Sequence, residues 1–216
     1  MRDVSIIMNE LITLVNESDE VIGFENKLTA HESGKLHRAF SLFIIDKSEQ
    51  SLLIQKRAID KYHSGGLWTN ACCSHPRKGE ELLDAVCRRV KDELGISVPD
   101  SAYEGKDLWE CKKFTYRKDY GKYIEYEIDH VFIWSVDKTT IQLIPNKKEV
   151  DDLLWIDIFD LENWMTTKPE EFTVWFFPAY EIFINEVLSN PTMMRSPISS
   201  SLFDVIQKKK NEVLIF

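Results

Sequence analysis

The sequence predicts an α+β sandwich in which mixed strands pack against one dominant helix. Three observations carry this. Residues 80–94 place Leu83, Val86, Cys87, Val90 and Leu94 at helical spacing, and Gly95 follows as a stop signal. Residues 123–134 read as one long strand rich in aromatic and β-branched side chains. Residues 36–45 and 51–57 are apolar runs flanking Asp46-Lys47-Ser48-Glu49-Gln50, the pattern of a hairpin. Strands and a strong helix in one short chain pack as layers around a shared core.

In chain order, residues 4–15 carry Ile6, Ile7, Leu11, Leu14 and Val15, which suit either a short helix or a strand. The hairpin follows, and residues 62–76 read as a loop punctuated by Gly65-Gly66 and Pro76. After the central helix and the long strand, residues 153–156 predict a short strand. Residues 175–188 predict a late helix with Pro178 near its start, where proline is tolerated. Beyond residue 190, Pro191, Pro197 and a serine run lead into an amphipathic turn or two around residues 202–206. No repeat and no long polar linker interrupts the chain. Residues 1–216 are therefore expected to form a single domain, with about 190–216 as a C-terminal extension of unassigned role.

Composition narrows the functions available. Acidic and basic residues are interspersed and sum to a net charge of −9. That disfavours a general nucleic-acid binder, which needs a broad basic face, but leaves room for one small basic pocket. No apolar run reaches the roughly 18 residues of a membrane-spanning helix. The start, Met1 to Glu10, has early acids and lacks the apolar core of a signal peptide. The four cysteines, Cys72, Cys73, Cys87 and Cys111, include an adjacent pair and suggest reduced thiols in a cytoplasmic protein.

Chemistry concentrates in a few segments. Alternation along the 123–134 strand puts Glu125, Glu127 and Asp129 on one face. A solvated edge strand is the simple reading. Tyr123, Tyr126, Ile128 and the run Val131 to Trp134 argue instead for burial on both faces, and buried carboxylates then need a cation. His31 and His37 are six residues apart, and His75 closes Cys72-Cys73-Ser74-His75. Neutral imidazoles and carboxylates make a ligand set for a divalent transition ion. The expectation is that His31, His37, His75, Glu125 and Glu127 converge on one metal. Zinc on Cys72, Cys73 and histidines is a rival, weakened because structural zinc pairs are spaced by about two to four residues.

Arg89 and Glu93 share a face of the central helix. They form either a plain ion pair or a site where Glu93 takes magnesium and Arg89 reaches the phosphates that the ion also binds. Lys27, Arg57 and Lys61 offer further positive charge. Cys87, on the apolar stripe, and Cys111 suit inert packing. Cys72 and Cys73 sit among Thr69, Asn70 and Ser74, where a thiol can act as acid or base.

These segments together resemble the type I isopentenyl-diphosphate isomerases. The matching runs are His31 through His37 to Phe40, Leu67-Trp68-Thr69-Asn70-Ala71-Cys72-Cys73-Ser74-His75-Pro76, Arg88-Arg89-Val90-Lys91-Asp92-Glu93-Leu94-Gly95, and Tyr123-Ile124-Glu125-Tyr126-Glu127. The resemblance runs in order from about residue 20 to about residue 185. It implies a Nudix-like α/β/α sandwich with a mixed sheet between helices. It also implies interconversion of isopentenyl and dimethylallyl diphosphate through a tertiary carbocation, in isoprenoid biosynthesis.

By matching motifs, the resemblance implies a first metal, Zn2+ or Mn2+, on His31, His37, His75, Glu125 and Glu127. It implies Mg2+ on Glu93 and the substrate diphosphate. Cys73, two residues before the histidine, matches the catalytic thiol, and Glu127 matches the second acid/base. Tyr116 matches the tyrosine that hydrogen-bonds it, and Trp175 the aromatic residue beside the substrate. Lys27, Arg57, Lys61 and Arg89 match the diphosphate contacts. The implied partner is that small-molecule substrate, with neither nucleic acid nor membrane, and the oligomeric state is left unassigned.

The sequence departs from the pattern in places. Ser74 stands where a Nudix helix motif has its first glycine, and Arg89 where it has a metal-binding glutamate. Val174 precedes Trp175 where a proline is expected, and Gly65-Gly66 replaces a Pro-Gly turn. Two other readings stay open: a Nudix hydrolase of a nucleoside diphosphate derivative, which would need more helix carboxylates, and a noncatalytic diphosphate-binding module.

Overall fold

The computed structural model describes residues 10–46, 48, 50–104, 107–189 and 198–215. Among these, ten strands join one mixed sheet. Its centre is β3 (His37–Asp46). One edge of β3 pairs in parallel with β8 (Ile124–Val136), from His37↔Glu127 to Asp46↔Val136. The other edge is divided among three antiparallel partners. These are β1 (Leu11–Val15) at His37, β6 (Cys72–Ser74) at Phe40 to Leu42, and β4 (Ser51–Arg57) at Ile44 and Ile45. Beyond β8 lie β7 (Leu108–Asp119) and β10 (Leu214–Ile215). Beyond β1 lies β2 (Val21–Asn26). β4 also pairs with β5 (Trp68–Asn70) and β9 (Val150–Asp157).

Helices cover both faces. The helix α1 (Lys27–Ser33) leads into β3, and α2 (Leu82–Leu94) packs Ala85, Val86, Val90 and Leu94 on Phe40, Leu42, Ile44, Phe132 and Trp134. A four-residue turn of helix, α3 (Ser101–Glu104), precedes β7. On the opposite face, α4 (Ile158–Thr167), α5 (Phe176–Ser189) and α6 (Ser200–Asn211) cover Phe43, Ile45, Val131 and Ile133. The alternation of side chains along β3 and β8 thus feeds two separate cores.

The sequence expectations mostly find their elements, with informative differences. Within residues 4–15 the described part is the strand β1, while residues 4–9 lie outside the described residues. The hairpin forms, but β3 and β4 pair at only two of the described positions; from Ile54 on β4 pairs with β5, while β9 runs along β4 from Ser51 to Arg57. The expected loop 62–76 contains two strands. The chain pairs with β4 at Trp68–Asn70 and crosses at Ala71 to pair with β3 at Cys72–Ser74. Segments of three residues are too short to show a period. The central helix begins at Leu82, two residues later than expected, because Gly79 at φ 75° still belongs to a turn. The turns expected near residue 202 are a full helix, α6, while Pro191 and Pro197 lie outside the described residues.

Candidate active site

Along β3, one face reads His37, Ala39, Ser41, then Phe43 and Ile45. Along β8, the same face reads Glu125, Glu127, Asp129, then Val131 and Ile133. The two strands are parallel and in register, so their polar halves lie side by side, and the helices α4 to α6 cover only the apolar halves. The uncovered end becomes a cavity of about 220 Å³. β8 lies between β7 and β3, so the solvated-edge reading of its carboxylates does not hold. Glu125, Glu127 and Asp129 are all buried.

Local structure delivers the histidines. Asn26 caps α1 by accepting from the backbone N–H of Leu28 and Thr29. Gly34 ends the helix in the left-handed conformation, φ 59°, packed against the Ile124 side chain. His31 on the last turn of α1 is thereby folded back over His37 at the start of β3, and His75 follows β6. The three imidazole centroids form a triangle with sides of 4.6, 4.9 and 5.2 Å.

The donor set fits a divalent cation. One ligand atom each from His31, His37, His75, Glu125 and Glu127 lies within 4.8 Å of every other. His31 Nδ1 lies 2.6 Å from the Lys27 carbonyl and His37 Nδ1 lies 2.8 Å from that of Lys35. Donation there leaves the Nε2 lone pairs free, as in metal-binding histidines. Both Nε2 atoms are buried without a hydrogen bond, at 3.2 Å from Glu125 Oε1 and 3.3 Å from Glu127 Oε1 respectively. His75 Nε2 lies 2.8 Å from Glu127 Oε1. Burial lowers His37 to about 3 and pushes His75 well below the usual histidine range, which keeps both imidazoles neutral.

Around this cluster stand the other predicted groups. Tyr116, directly opposite Glu127 across β7 and β8, donates its hydroxyl to Glu127 Oε2 at 2.9 Å. Burial and the adjacent Glu127 hold that phenol well above its ordinary pKa, so it stays a donor. Burial, then the charge of Glu125, raises the Glu127 carboxyl well above the usual range. Cys73 lines the cavity, whereas Cys72 is fully buried among the α2-side core residues. Burial pushes the Cys73 thiol up to about 11. The rival zinc site therefore has its two cysteines divided between cavity and core. Among the described residues, the potential metal cluster is the histidine–glutamate one.

Trp175 also lines the cavity, with the Arg57 guanidinium 5.0 Å from its ring. Arg57 Nη1 stands 4.0 Å from Cys73 Sγ. Lys27, Arg57, Lys61 and Arg89 all line the same cavity. Glu93 does not. It is buried beneath Arg89, in an i,i+4 ion pair, and accepts from Gln55 Nε2 at 3.2 Å. The ion pair of the plain reading forms, and Arg89 also lines the cavity. Sequence reasoning missed Glu149, which is ion-paired to Lys61 and lies 3.5 Å from Arg89. It also missed His63, whose Nε2 is 2.6 Å from Glu125 Oε1. Neither sits in a recognisable run.

A mixed sheet between helix layers, with charged residues of the central helix at a cavity, is the architecture of the Nudix class. A NUDIX domain model matches residues 35–176. Two solved structures share the fold at low sequence identity. DR0079 from Deinococcus radiodurans has a TM-score of 0.62 at 18% identity, covering 81% of this chain and 99% of that one. A MutT protein from Methanosarcina mazei has 0.51 at 16%, covering 70% and 94%.

Curated relatives narrow the class. The isopentenyl-diphosphate Delta-isomerase of Photobacterium profundum is 41% identical over 186 residues, 85% of this chain and 99% of the relative. That of Serratia proteamaculans is 44% identical over 170 residues, 78% and 88%. Isopentenyl-diphosphate Delta-isomerase 2 of Aromatoleum aromaticum is 41% identical over 169 residues, 78% and 83%. The chain belongs to the isopentenyl-diphosphate Delta-isomerase family within the Nudix fold. Among the described residues, no helix is long and apolar enough to cross a membrane.

Proposed function

We propose that this chain interconverts isopentenyl and dimethylallyl diphosphate by adding a proton at one end of the double bond and removing another from the far side. The observation that carries this is the meeting of Cys73, Glu127 and Trp175 in one cavity that Lys27, Arg57, Lys61 and Arg89 also line. The hydrocarbon part of such a substrate has few handles. Its diphosphate supplies binding energy at a distance from the reacting carbons. The four cations recognise that group, and Glu93, buried beneath Arg89, would be the carboxylate that holds Mg2+ beside it.

Cys73 and Glu127 divide the proton transfers. One gives a proton to a terminal carbon of the double bond, leaving positive charge on the tertiary carbon. The other takes a proton from the neighbouring carbon, and the double bond reforms one position along. The raised pKa of the Cys73 thiol keeps a proton on sulfur at neutral pH. Tyr116 holds the Glu127 carboxyl in position. The Trp175 ring face stabilises the cation by about 0.5–2 kcal/mol or more once water is excluded. His31, His37, His75, Glu125 and Glu127 would hold the first metal, Zn2+ or Mn2+, which when bound offsets the carboxylate charges that burial makes costly. The four unpaired cysteines favour a cytoplasmic setting. Residues 1–216 form one isomerase domain in this reading.

Purified protein supplied with isopentenyl diphosphate and Mg2+ is expected to form dimethylallyl diphosphate, with deuterium entering both compounds in heavy water. Release of phosphate without isomer would overturn the proposal in favour of a hydrolase.

A further inference from the structure

His63 belongs to no motif and has no role in the reaction described above, yet its surroundings are built around it. It lies in the turn between β4 and β5 and is buried. Its Nε2 is 2.6 Å from Glu125 Oε1, on a carboxylate whose same oxygen lies 3.2 Å from His31 Nε2. His63 falls outside the group of five ligand atoms. The imidazole stacks on Tyr120 with centroids 5.1 Å apart, and meets Trp175 edge-on at 5.8 Å. Its Nδ1 faces Ser64 Oγ at 3.2 Å, and that hydroxyl lies 3.3 Å from Tyr120 Oη.

The backbone holds this arrangement at a cost. Ser64 adopts φ 51°, a left-handed conformation that L side chains seldom take. At Gly65 a Cβ would overlap the Ile59 carbonyl oxygen, so the turn closes only with glycine there. The Arg57 guanidinium lies 3.4 Å from the His63 carbonyl, tying the turn to the cation-lined wall. A strained turn, an aromatic stack and a guanidinium all converge on the placement of one ring.

We infer that His63 is a positioning residue that donates from Nε2 to Glu125 and holds that carboxylate in the orientation the metal site requires. Groups that hydrogen-bond a metal ligand fix its direction, and their loss typically weakens metal binding about 10–100-fold. This assignment rests on the five-residue metal site of the proposed function, but its test needs no substrate.

The test is a titration of chelator-stripped protein with Mn2+ alone, following free ion by electron paramagnetic resonance. Two variants separate the donor from the bulk of the ring. His63→Leu keeps volume and removes the donor, while the carboxamide N–H of His63→Gln falls near the position of Nε2. Expected is Mn2+ binding about tenfold or more weaker in His63→Leu and largely restored in His63→Gln. His75→Ala, which deletes a ligand, sets the scale for a lost site. Where His63→Leu does not fold by circular dichroism, His63→Asn takes its place, since its shorter amide leaves Glu125 out of reach. Mn2+ affinity in the donor-less variant equal to wild type would overturn the inference, as would His63→Gln binding no better than that variant. Wild-type protein that binds Mn2+ but forms no dimethylallyl diphosphate would sink the isomerase reading and leave the His63 result standing.

Discussion

At the scale of single residues, the adjacent cysteines show how one step along a strand separates cavity from core. Cys72 and Cys73 lie on β6 and point to opposite faces, one into the core and one to the cavity. Cys72 packs with Ala71, Val86 and Val90 and has no route to a ligand. Cys73 is half-buried beside Arg57, Tyr116 and Trp175. Cys73→Ala is therefore expected to lower isomerisation by about 10²–10⁴-fold, the usual contribution of a general acid or base. Cys72→Ala should cost about 1 kcal/mol of stability and keep most of the turnover. Steady-state rates and melting curves of the two variants check this. Reversed outcomes would mean that the register of β6 is wrong, since a slip of one residue exchanges the two faces.

At the scale of elements, α2 carries a buried carboxylate and the arginine that covers it. Glu93 is 2% exposed, and its nearest charge is Arg89 four residues earlier. An exposed pair of this kind is worth about 0.2–0.5 kcal/mol. A buried one costs far more to break, about 3–5 kcal/mol, because a charge is left uncompensated. Arg89→Ala is thus expected to lower both the melting temperature and the affinity for the diphosphate. Glu93→Gln, which keeps the shape and removes the charge, should mainly shift the Mg2+ titration of activity to higher concentration. An unchanged Mg2+ titration in folded Glu93→Gln would remove the carboxylate from the magnesium site.

The same elements show what the sequence makes legible. α2 and β8 are long and strongly patterned, and the residues of the histidine–glutamate cluster sit in short dense runs, so they could be named as candidates from the chain alone. β7 was not visible as a strand, because its exposed and half-buried residues mix without a clean period. β2 is an edge strand with Val21, Ile22 and Phe24 facing solvent, which blurs its alternation. His63 and Glu149 escaped for another reason. They reach the cavity through turns, and their partners Glu125, Lys61 and Arg89 are far away in sequence.

At the scale of the whole molecule, the C-terminal segment proves to be part of the wall behind the cavity. Past α6, Val213 packs against Tyr116 and Trp175, and Ile215 pairs with Tyr116 across β10 and β7. Lys118 on β7 donates to the Glu212 carbonyl at 3.0 Å. Glu212, Val213 and Ile215 do not themselves line the cavity. Val213 and Ile215 support two side chains that do, Tyr116, hydrogen-bonded to Glu127, and Trp175. Val213→Ala is expected to cost about 1–3 kcal/mol. It should also lower kcat by about tenfold, because small displacements of positioned groups are expensive in rate. KM should move less, since Lys27, Arg57, Lys61 and Arg89, the proposed diphosphate contacts, sit on other segments. Ile206→Ala on α6 is the control. It opens a comparable cavity in the core among α4, α5 and α6, away from Tyr116 and Trp175. Measured well below both melting temperatures, Ile206→Ala should keep wild-type kcat while Val213→Ala does not. Equal rates in the two variants would show that the segment contributes stability alone and that Tyr116 and Trp175 keep their places without it.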